Sequence, residues 1–235
     1  MPEVAQRARW PVHAGAREDI GSESISSAPA GFQQSSLRLR QSRLKRLTDI
    51  VGAGLGLLIL LPFLALIAVV ILIESRGPVF FRQRRSGLDG TVFNIYKFRS
   101  MNVMEDGADV TQATRGDNRV TWVGKFLRRS SIDELPQLIN VLKGEMSLVG
   151  PRPHAVAHDQ YYTQMVPNYH LRFHAKPGIT GMAQIEGFRG EVRDIPHMQA
   201  RVARDLEYIQ KWSPAMDVRI LFLTVTSAPF HRSAY

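Results

Sequence analysis

The sequence predicts a membrane-associated α/β protein that is mostly helical, and three observations support this fold class. An uncharged apolar stretch at residues 50–73 has basic residues on both sides. Two β-prone segments are joined by a Gly-Leu-Asp-Gly turn at residues 87–90. Residues 135–142 carry apolar side chains at i, i+3, i+4 and i+7, a helix with one buried face. We therefore expect a membrane helix and a compact cytosolic domain that contains a short β-hairpin and interfacial amphipathic helices.

The apolar stretch is long enough to enter a bilayer, since a spanning helix needs roughly 20 apolar residues. Basic residues precede it at 38–46 and follow it at 76–85, so both flanks favour the cytoplasmic side. Pro62 divides the stretch into two halves, and proline bends or breaks a helix. We interpret the segment as a re-entrant helix broken at Pro62. A kinked single-pass anchor is the alternative, because spanning helices tolerate proline.

The rest of the chain divides by composition. Residues 1–37 lack periodicity and predict a disordered tail. A basic interfacial segment and the membrane helix occupy residues 38–76, and the cytosolic domain occupies residues 77–228. Residues 229–235 form a second tail. Further predictions are strands at 79–83 and 91–98, a mobile loop at 101–118, a helix at 200–211, and an apolar segment at 212–226 that contacts either lipid or the core.

Composition limits the possible chemistry. The chain has 235 residues, which suits one domain plus an anchor, and a formal net charge of +9. This charge favours an anionic membrane surface, nucleic acid or phosphorylated substrates. Because no RNA-binding or helix-turn-helix signature is present, we do not expect nucleic acid as a partner. The absence of cysteine excludes disulfides, a thiolate nucleophile and a cysteine zinc site.

Asp133 and Glu134 are the main candidates for chemistry because both lie where a helix begins. The positive end of the helix dipole keeps a carboxylate ionised and attracts phosphate. An ionised aspartate can attack phosphorus, and a neighbouring glutamate can act as a base or a metal ligand. Glu145 is a further acidic candidate for a metal site. The alternative for Asp133 is a helix cap.

Four cationic residues accompany this acidic pair. Arg128 precedes it, Arg152 lies between two prolines, and Lys97 and Arg99 flank a phenylalanine at the end of the second predicted strand. Guanidinium groups bind phosphate bidentately, so these side chains predict phosphate binding. Attraction to an anionic bilayer is the alternative for each of them.

Five motifs in this order, behind the membrane segment, resemble the bacterial sugar transferase family, the monotopic polyprenyl-phosphate phosphoglycosyl transferases. The resemblance extends from about residue 45 to residue 226. The motifs are YKFRSM at 96–101, RRSSIDELPQ at 128–137, KGEMSLVGPRP at 143–153, KPGITG at 176–181 and DLEYI at 205–209.

The resemblance implies a ping-pong reaction at a bacterial inner membrane, with the active site facing the cytoplasm. Asp133 would attack the sugar-linked phosphorus of a UDP-sugar and expel UMP, and the phospho-sugar would then pass to undecaprenyl phosphate. Glu134 would help to bind Mg²⁺ or deprotonate the acceptor, and Arg128 and Arg152 would hold phosphate. The family's re-entrant helix breaks at a proline that matches Pro62. A homodimer is a possible assembly, and membrane lipid is an expected partner.

Residues 187–191 resemble the branch that starts exopolysaccharide or capsule units with glucose-1-phosphate or galactose-1-phosphate, with glucose-1-phosphate favoured. Met182 stands where that branch often has tryptophan, and Glu186 where it often has asparagine. A non-catalytic membrane scaffold is the alternative function. The presence of Asp133, Glu134 and Arg152 argues against it.

Overall fold

The secondary structure is mostly helical with one antiparallel hairpin, which confirms the predicted fold class at this level. The computed structural model describes residues 28–102, 116–190, 192 and 194–227. The elements are α1 Ala30–Gln41, α2 Arg43–Glu74, β1 Phe80–Ser86, β2 Val92–Phe98, α3 Trp122–Ser130, α4 Gln137–Lys143, β3 Ser147–Val149, α5 Val156–Met165, β4 Gly178–Thr180, α6 Met182–Ile185, α7 Ile195–Lys211 and α8 Pro214–Ser227.

Helix α1 corrects the predicted boundary of the N-terminal tail. The helix begins at Ala30, so the end of the segment predicted to be disordered is ordered. Phe32 and Leu39 are buried in a core cluster with Tyr208 and Ile209 of α7. Burial of these side chains stabilises a segment whose polar composition alone favours disorder. Residues 1–27, most of the predicted 101–118 loop and the 229–235 tail lie outside the described residues.

Helix α2 extends from Arg43 to Glu74 with Pro62 inside it, so two separate helices are not observed, and a bend at Pro62 stays a prediction. Packing offsets the loss of one backbone hydrogen bond at the proline. Leu64, Ile67 and Ile71, which follow Pro62, are buried in a cluster that extends to Phe98 of β2.

One face of α2 is apolar and exposed. The helix is long and apolar enough to cross a bilayer, but it also packs along the rest of the protein. Ile59 and Ile73 are 73% and 79% exposed, although large aliphatic side chains are usually buried. An apolar face of this extent marks a lipid-contacting surface. Its members include Val51, Leu55, Leu58, Ile59, Leu66, Val69 and Ile73.

The N-terminal end of α2 is fastened to α8 and β3 by a buried lysine. Lys45 Nζ donates to Asp217 Oδ2 at 2.8 Å and to the Val149 carbonyl at 3.0 Å. The hydroxyl of Tyr208 lies 3.1 Å from the same ammonium group and donates to Asp217 Oδ1. This network confirms a core contact for the start of the 212–226 segment. Val218, Phe222 and Val225 of α8 are exposed.

The C-terminal end of α2 is held by the same part of the protein. The backbone N–H of Val123, in the first turn of α3, donates to Glu74 Oε1 at 2.7 Å. The guanidinium of Arg99 donates to the carbonyls of Ser75 and Arg76, each at 2.6 Å. Both ends of α2 are therefore bonded to one folded domain.

The hairpin confirms the two predicted strands and extends the first. Strands β1 and β2 are antiparallel, with Phe80 opposite Phe98 and Ser86 opposite Val92. Asp89 in the connecting turn has a φ of 54°, a left-handed conformation that aspartate tolerates better than most residues. The hairpin carries Lys97 and Arg99 towards the site.

A second strand pair sets the backbone that precedes Arg152. Strands β3 and β4 are parallel and join the segments that contain Gly150 and Gly178. A Cβ on Gly178 would lie 2.1 Å from the Gly150 nitrogen, so a side chain does not fit there. The backbone of Gly178 also donates to the Pro151 carbonyl at 2.9 Å. These contacts place the Pro-Arg-Pro segment at the edge of the site.

Candidate active site

Asp133 and Glu134 lie in a tight turn between two helices. Ser131 ends α3 with a φ of 61°, an uncommon value for a residue other than glycine. The 3₁₀ turn Ile132–Glu134 follows, and α4 begins after Pro136. Neither helical segment has a side-chain cap, so the capping alternative for Asp133 is wrong. Both carboxylates are buried, each residue being 7% exposed.

Glu134 is surrounded by cations. Arg152 donates to both carboxylate oxygens, at 2.6 and 3.1 Å, and Lys97 Nζ donates to Oε1 at 2.8 Å. Arg189 Nη2 lies 3.9 Å from Oε2. Burial alone would raise the pKa of Glu134, but the charges of Arg152 and Lys97 and the hydrogen bonds from Arg152 hold this pKa well below its usual range. Glu134 is therefore an ionised anchor for three cationic side chains.

Asp133 differs from its neighbour in its contacts. Among the described residues, no side chain or backbone group forms a hydrogen bond or ion pair with the Asp133 carboxylate, which faces a cavity. Burial, followed by the negative charge of Glu134, raises the pKa of Asp133 to about 6, although Lys97, Arg128 and Arg152 oppose the shift. A buried carboxylate of reduced acidity in a cavity is typical of a catalytic group.

The cavity has a volume of about 250 Å³ and a strongly basic wall. Asp133 is the only carboxylate among the described residues that line it. Such a cavity fits a polyanionic ligand, because guanidinium and ammonium groups bind phosphate oxygens through charge-assisted hydrogen bonds. The cationic lining residues are Arg85, Lys97, Arg99, Arg119, Arg128, Arg152, Arg189 and Arg201.

The structure brings together Lys97, Arg128, Asp133 and Arg152, but two predicted site residues have other contacts. Arg99 lines the cavity, yet its guanidinium donates to carbonyl groups at the end of α2. Glu145 lies outside the cavity lining and accepts a hydrogen bond from Asn140 Nδ2 at 2.7 Å.

A buried network supports Arg152 from behind. Arg172 donates to the Arg152 carbonyl at 2.7 Å and to Asp205 Oδ2 at 2.8 Å. His154 lies between Arg172 and Arg201, at 3.1 and 3.3 Å from their guanidinium nitrogens. Burial and then the charges of these two arginines hold the pKa of His154 well below its usual range, so its ring is neutral. The network fixes the backbone on which the Arg152 side chain is mounted.

Sequence reasoning missed Arg189 and Arg201 as site residues. Arg189 lies in the 187–191 motif but was not assigned a role. Arg201 shares the buried face of α7 with Met198, Val202 and Asp205. An arginine on the apolar face of an amphipathic helix is the signal that could have identified it, since arginine is rarely buried without a partner.

The described residues contain no group of three His, Asp or Glu side chains that could hold a metal ion by themselves. Mg²⁺ usually binds one or two carboxylates and completes its shell with water and substrate phosphates. Asp133 fits such a partial site because its oxygens face the cavity. Glu134 fits less well, because both of its oxygens already accept from cationic donors.

The fold and the cavity define a membrane-associated protein with a basic cavity built around a buried aspartate. The family model for the bacterial sugar transferases matches residues 40–230, and the chain belongs to this family.

The curated relatives agree with this assignment. The chain is 56% identical over 192 residues to the UDP-glucose:undecaprenyl-phosphate glucose-1-phosphate transferase of Escherichia coli (strain K12). The aligned region covers 82% of this chain and 41% of that protein. It is 52% identical over 191 residues to the protein of the same name from Caulobacter vibrioides, with 81% of this chain and 72% of that protein aligned. It is 46% identical over 188 residues to the exopolysaccharide production protein PSS of Rhizobium leguminosarum bv. phaseoli, with 78% of this chain and 94% of that protein aligned. The chain thus spans about two fifths of the Escherichia coli relative and nearly all of the Rhizobium one.

Proposed function

We propose that this chain transfers a hexose-1-phosphate from a UDP-sugar to undecaprenyl phosphate and releases UMP, the first membrane step of exopolysaccharide or capsule synthesis. The observation that carries the proposal is the buried Asp133 carboxylate, which faces a cavity lined by cations. Glucose-1-phosphate is the favoured group, because several relatives at about half identity are named for UDP-glucose. Galactose-1-phosphate is the next candidate, since one relative at 42% identity is named a galactosyl transferase.

In the first half-reaction, an oxygen of Asp133 attacks the sugar-linked phosphorus of the UDP-sugar. The bond between that phosphorus and the bridging oxygen breaks, and UMP leaves with the electron pair. The product is a phospho-sugar joined to the aspartate as an acyl phosphate. Lys97, Arg128 and Arg152 line the cavity and offset the negative charge of the phosphates as this charge develops.

In the second half-reaction, a phosphate oxygen of undecaprenyl phosphate attacks the same phosphorus. The Asp133 carboxylate leaves, and undecaprenyl-diphospho-sugar is released. The ion pairs of Glu134 favour a positioning role in which its charge holds Lys97, Arg152 and Arg189 around the reacting phosphate. Deprotonation of the acceptor by Glu134 would require release from these pairs and stays a prediction.

Mg²⁺ is part of this proposal. Asp133 and the substrate phosphates would hold the ion, with Glu134 nearby, and its charge would stabilise the transferring phosphoryl group. The position of Glu145 outside the cavity lining argues against a direct role for it in the metal site.

The direct test is UMP release by membrane-reconstituted protein from a panel of UDP-sugars, with undecaprenyl phosphate and Mg²⁺. Lipid-dependent UMP release from one sugar would support the reaction and identify the donor. If the panel includes the glucose, galactose and N-acetylgalactosamine donors and none gives release, the transferase proposal is contradicted and a non-catalytic scaffold is favoured.

Activity is expected to fall as the pH decreases through about 6. The pKa of Asp133 is raised to about 6, so the nucleophile is ionised above this pH and protonated below it. The kcat/KM for the UDP-sugar should then decrease about tenfold per pH unit on the acidic side. Initial rates of UMP release would be measured between pH 5 and pH 8, from about one unit below the pKa to about two units above it. These rates would define the acidic side of the pH–rate profile. A flat profile over this range would contradict the assignment of Asp133 as the nucleophile.

We propose further that α2 dips into the cytoplasmic leaflet of the bacterial inner membrane and returns to the same side. The support is that Lys45 at one end of α2 and Glu74 at the other end bond to one domain, while the exposed face between them is apolar. A perpendicular spanning helix would place its ends on opposite sides of a hydrocarbon core of about 30 Å. Homodimerisation stays a prediction.

Single-cysteine labelling can test this topology, because the native chain contains no cysteine. Gln41→Cys before α2 and Asn94→Cys in β2 both replace exposed, uncharged side chains. We expect a membrane-impermeant maleimide to label both variants in inverted membrane vesicles and neither in intact spheroplasts. Labelling of the two positions from opposite sides would show that the helix crosses the membrane.

A further inference from the structure

Arg201 is a buried cation that lacks a carboxylate partner among the described residues. It lies on α7, is 3% exposed and contributes to the cavity wall. Nη2 donates to the Gly190 carbonyl at 2.7 Å, and Nη1 lies 3.3 Å from His154 Nε2. Nε is buried without a hydrogen-bond partner. Asp205, one turn further along α7, is paired with Arg172 instead.

Without a bound anion, the charge of the buried Arg201 side chain is destabilised. Burial, followed by the charge of Arg152, lowers the pKa of Arg201 to about 10, and the attraction to Asp205 does not compensate. A buried guanidinium with an unused donor, on the wall of a basic cavity, has its charge offset once an anion binds beside it. Arg201 therefore fits a ligand contact better than a structural ion pair.

The hydrogen bonds of Arg201 differ from those of the cations that surround Glu134. The charges that act most strongly on Asp133 are those of Glu134, Lys97, Arg128 and Arg152. Arg201 is not among them, and it is linked instead to His154 and Gly190. Arg201 therefore lines the cavity on the side formed by His154 and Gly190, close enough to Arg152 for the two charges to repel.

We propose that Arg201 binds a phosphate oxygen of the nucleotide-side phosphate, the group that leaves as UMP. This inference rests on the proposed transferase function. The sugar-linked phosphorus must lie against Asp133, so the second phosphate of the donor needs another cation of the same cavity wall, and Arg201 has an unused donor there. The hydrogen bond from Arg201 to Gly190 also connects this contact to the loop that carries Arg189, which approaches Glu134. The phosphate of the polyprenyl acceptor is the other possible source of the same anion.

The test variant is Arg201→Gln, which keeps hydrogen-bonding capacity but removes the charge. We expect the KM for the UDP-sugar to rise by about 10- to 100-fold, the usual effect of losing a charge-assisted hydrogen bond, with a smaller change in kcat. The increase in melting temperature that UMP causes in the wild-type protein should be lost. The melting temperature without ligand should stay the same or rise, because an uncompensated buried charge is removed. Arg201→Lys should restore part of the UMP response.

Arg204→Gln is the matched control. Arg204 lies on the same helix, is exposed and pairs with Glu186 and Glu207. This variant should show the wild-type KM and the wild-type response to UMP.

Three results would overturn the inference. A wild-type KM and UMP response in Arg201→Gln would show that Arg201 does not bind the donor. A lower melting temperature with an unchanged UMP response would make it a structural residue. A lost response to a short-chain polyprenyl phosphate, with the UMP response retained, would assign the contact to the acceptor. If the wild-type protein binds UMP but turns over no UDP-sugar, the proposed transfer reaction is contradicted while the phosphate contact of Arg201 stands.

Discussion

Asp133→Asn is expected to abolish transfer and at the same time to make the protein more stable. The amide cannot attack phosphorus, so UMP release should fall by at least about 10³-fold. The rise in the pKa of Asp133 from 3.8 to about 6 means that the buried anion destabilises the fold at neutral pH, by up to about 3 kcal/mol. The neutral amide removes this penalty. UMP release and thermal unfolding, measured in the same membrane mimetic, would test both expectations.

The sign of the stability change depends on pH. A carboxyl with a raised pKa destabilises the folded state above that pKa, and the penalty disappears as the pH falls below the unfolded-state value of about 4. The gain from Asp133→Asn should therefore be present at pH 8 and absent near pH 4. Asp89→Asn in the exposed hairpin turn is the matched control, because asparagine also tolerates the left-handed backbone there. Substantial turnover by Asp133→Asn would refute the nucleophile assignment, and lost activity with reduced stability would indicate a structural role.

Glu134→Gln is expected to lower both activity and stability. The substitution removes the buried anion that pairs with Lys97 and Arg152 and leaves these partly buried cations without compensation. Breaking a buried ion pair in this way costs about 3–5 kcal/mol. Turnover should decrease by about 10²-fold or more, because the displaced arginine no longer holds phosphate in the reactive geometry. Thermal unfolding and the rate of UMP release would measure the two effects.

Glu134→Gln should also move the acidic limb of the pH profile of the remaining activity to lower pH. After burial, the charge of Glu134 is the main cause of the raised pKa of Asp133, so its removal makes Asp133 more acidic. Glu134→Asp keeps the charge and should recover part of the stability. A Glu134→Gln protein with wild-type stability but no turnover would contradict the positioning role and favour a role as acceptor base.

The opposite stability effects expected for two adjacent carboxylates follow from their contacts. Glu134 accepts hydrogen bonds from two cationic side chains, whereas the carboxylate of Asp133 faces the cavity. The sequence alone shows two acidic residues side by side and cannot separate their environments. The partners of Glu134 come from β2, from the loop after β3 and from the loop before α7, which are separate segments of the chain.

Local patterns predicted what depends on local interactions. The Gly-Leu-Asp-Gly turn predicted the hairpin, and the apolar periodicity predicted α4. The motif residues Lys97, Arg128, Asp133 and Arg152 were predicted as a set and share one cavity.

Tertiary contacts decided the features that were missed. Helix α1 is ordered by packing of Phe32 against α7, and the turns of α2 that follow Pro62 are buried against β2 and α3. Arg99 bonds to the end of α2, a contact that a motif cannot reveal. The sequence also cannot show that Asp205, one turn from Arg201, is paired with Arg172 instead.

The most direct test of the central claim is to detect the covalent intermediate on Asp133. Purified protein would be incubated with UDP-glucose and Mg²⁺ without acceptor, and then analysed by intact mass and peptide mapping. The proposed mechanism predicts one UMP released per active protein and one hexose phosphate attached to the peptide that contains Asp133. Undecaprenyl phosphate should remove this adduct, and Asp133→Asn should not form it. UMP release that requires the acceptor and leaves no adduct, or an adduct on another residue, would contradict the claim.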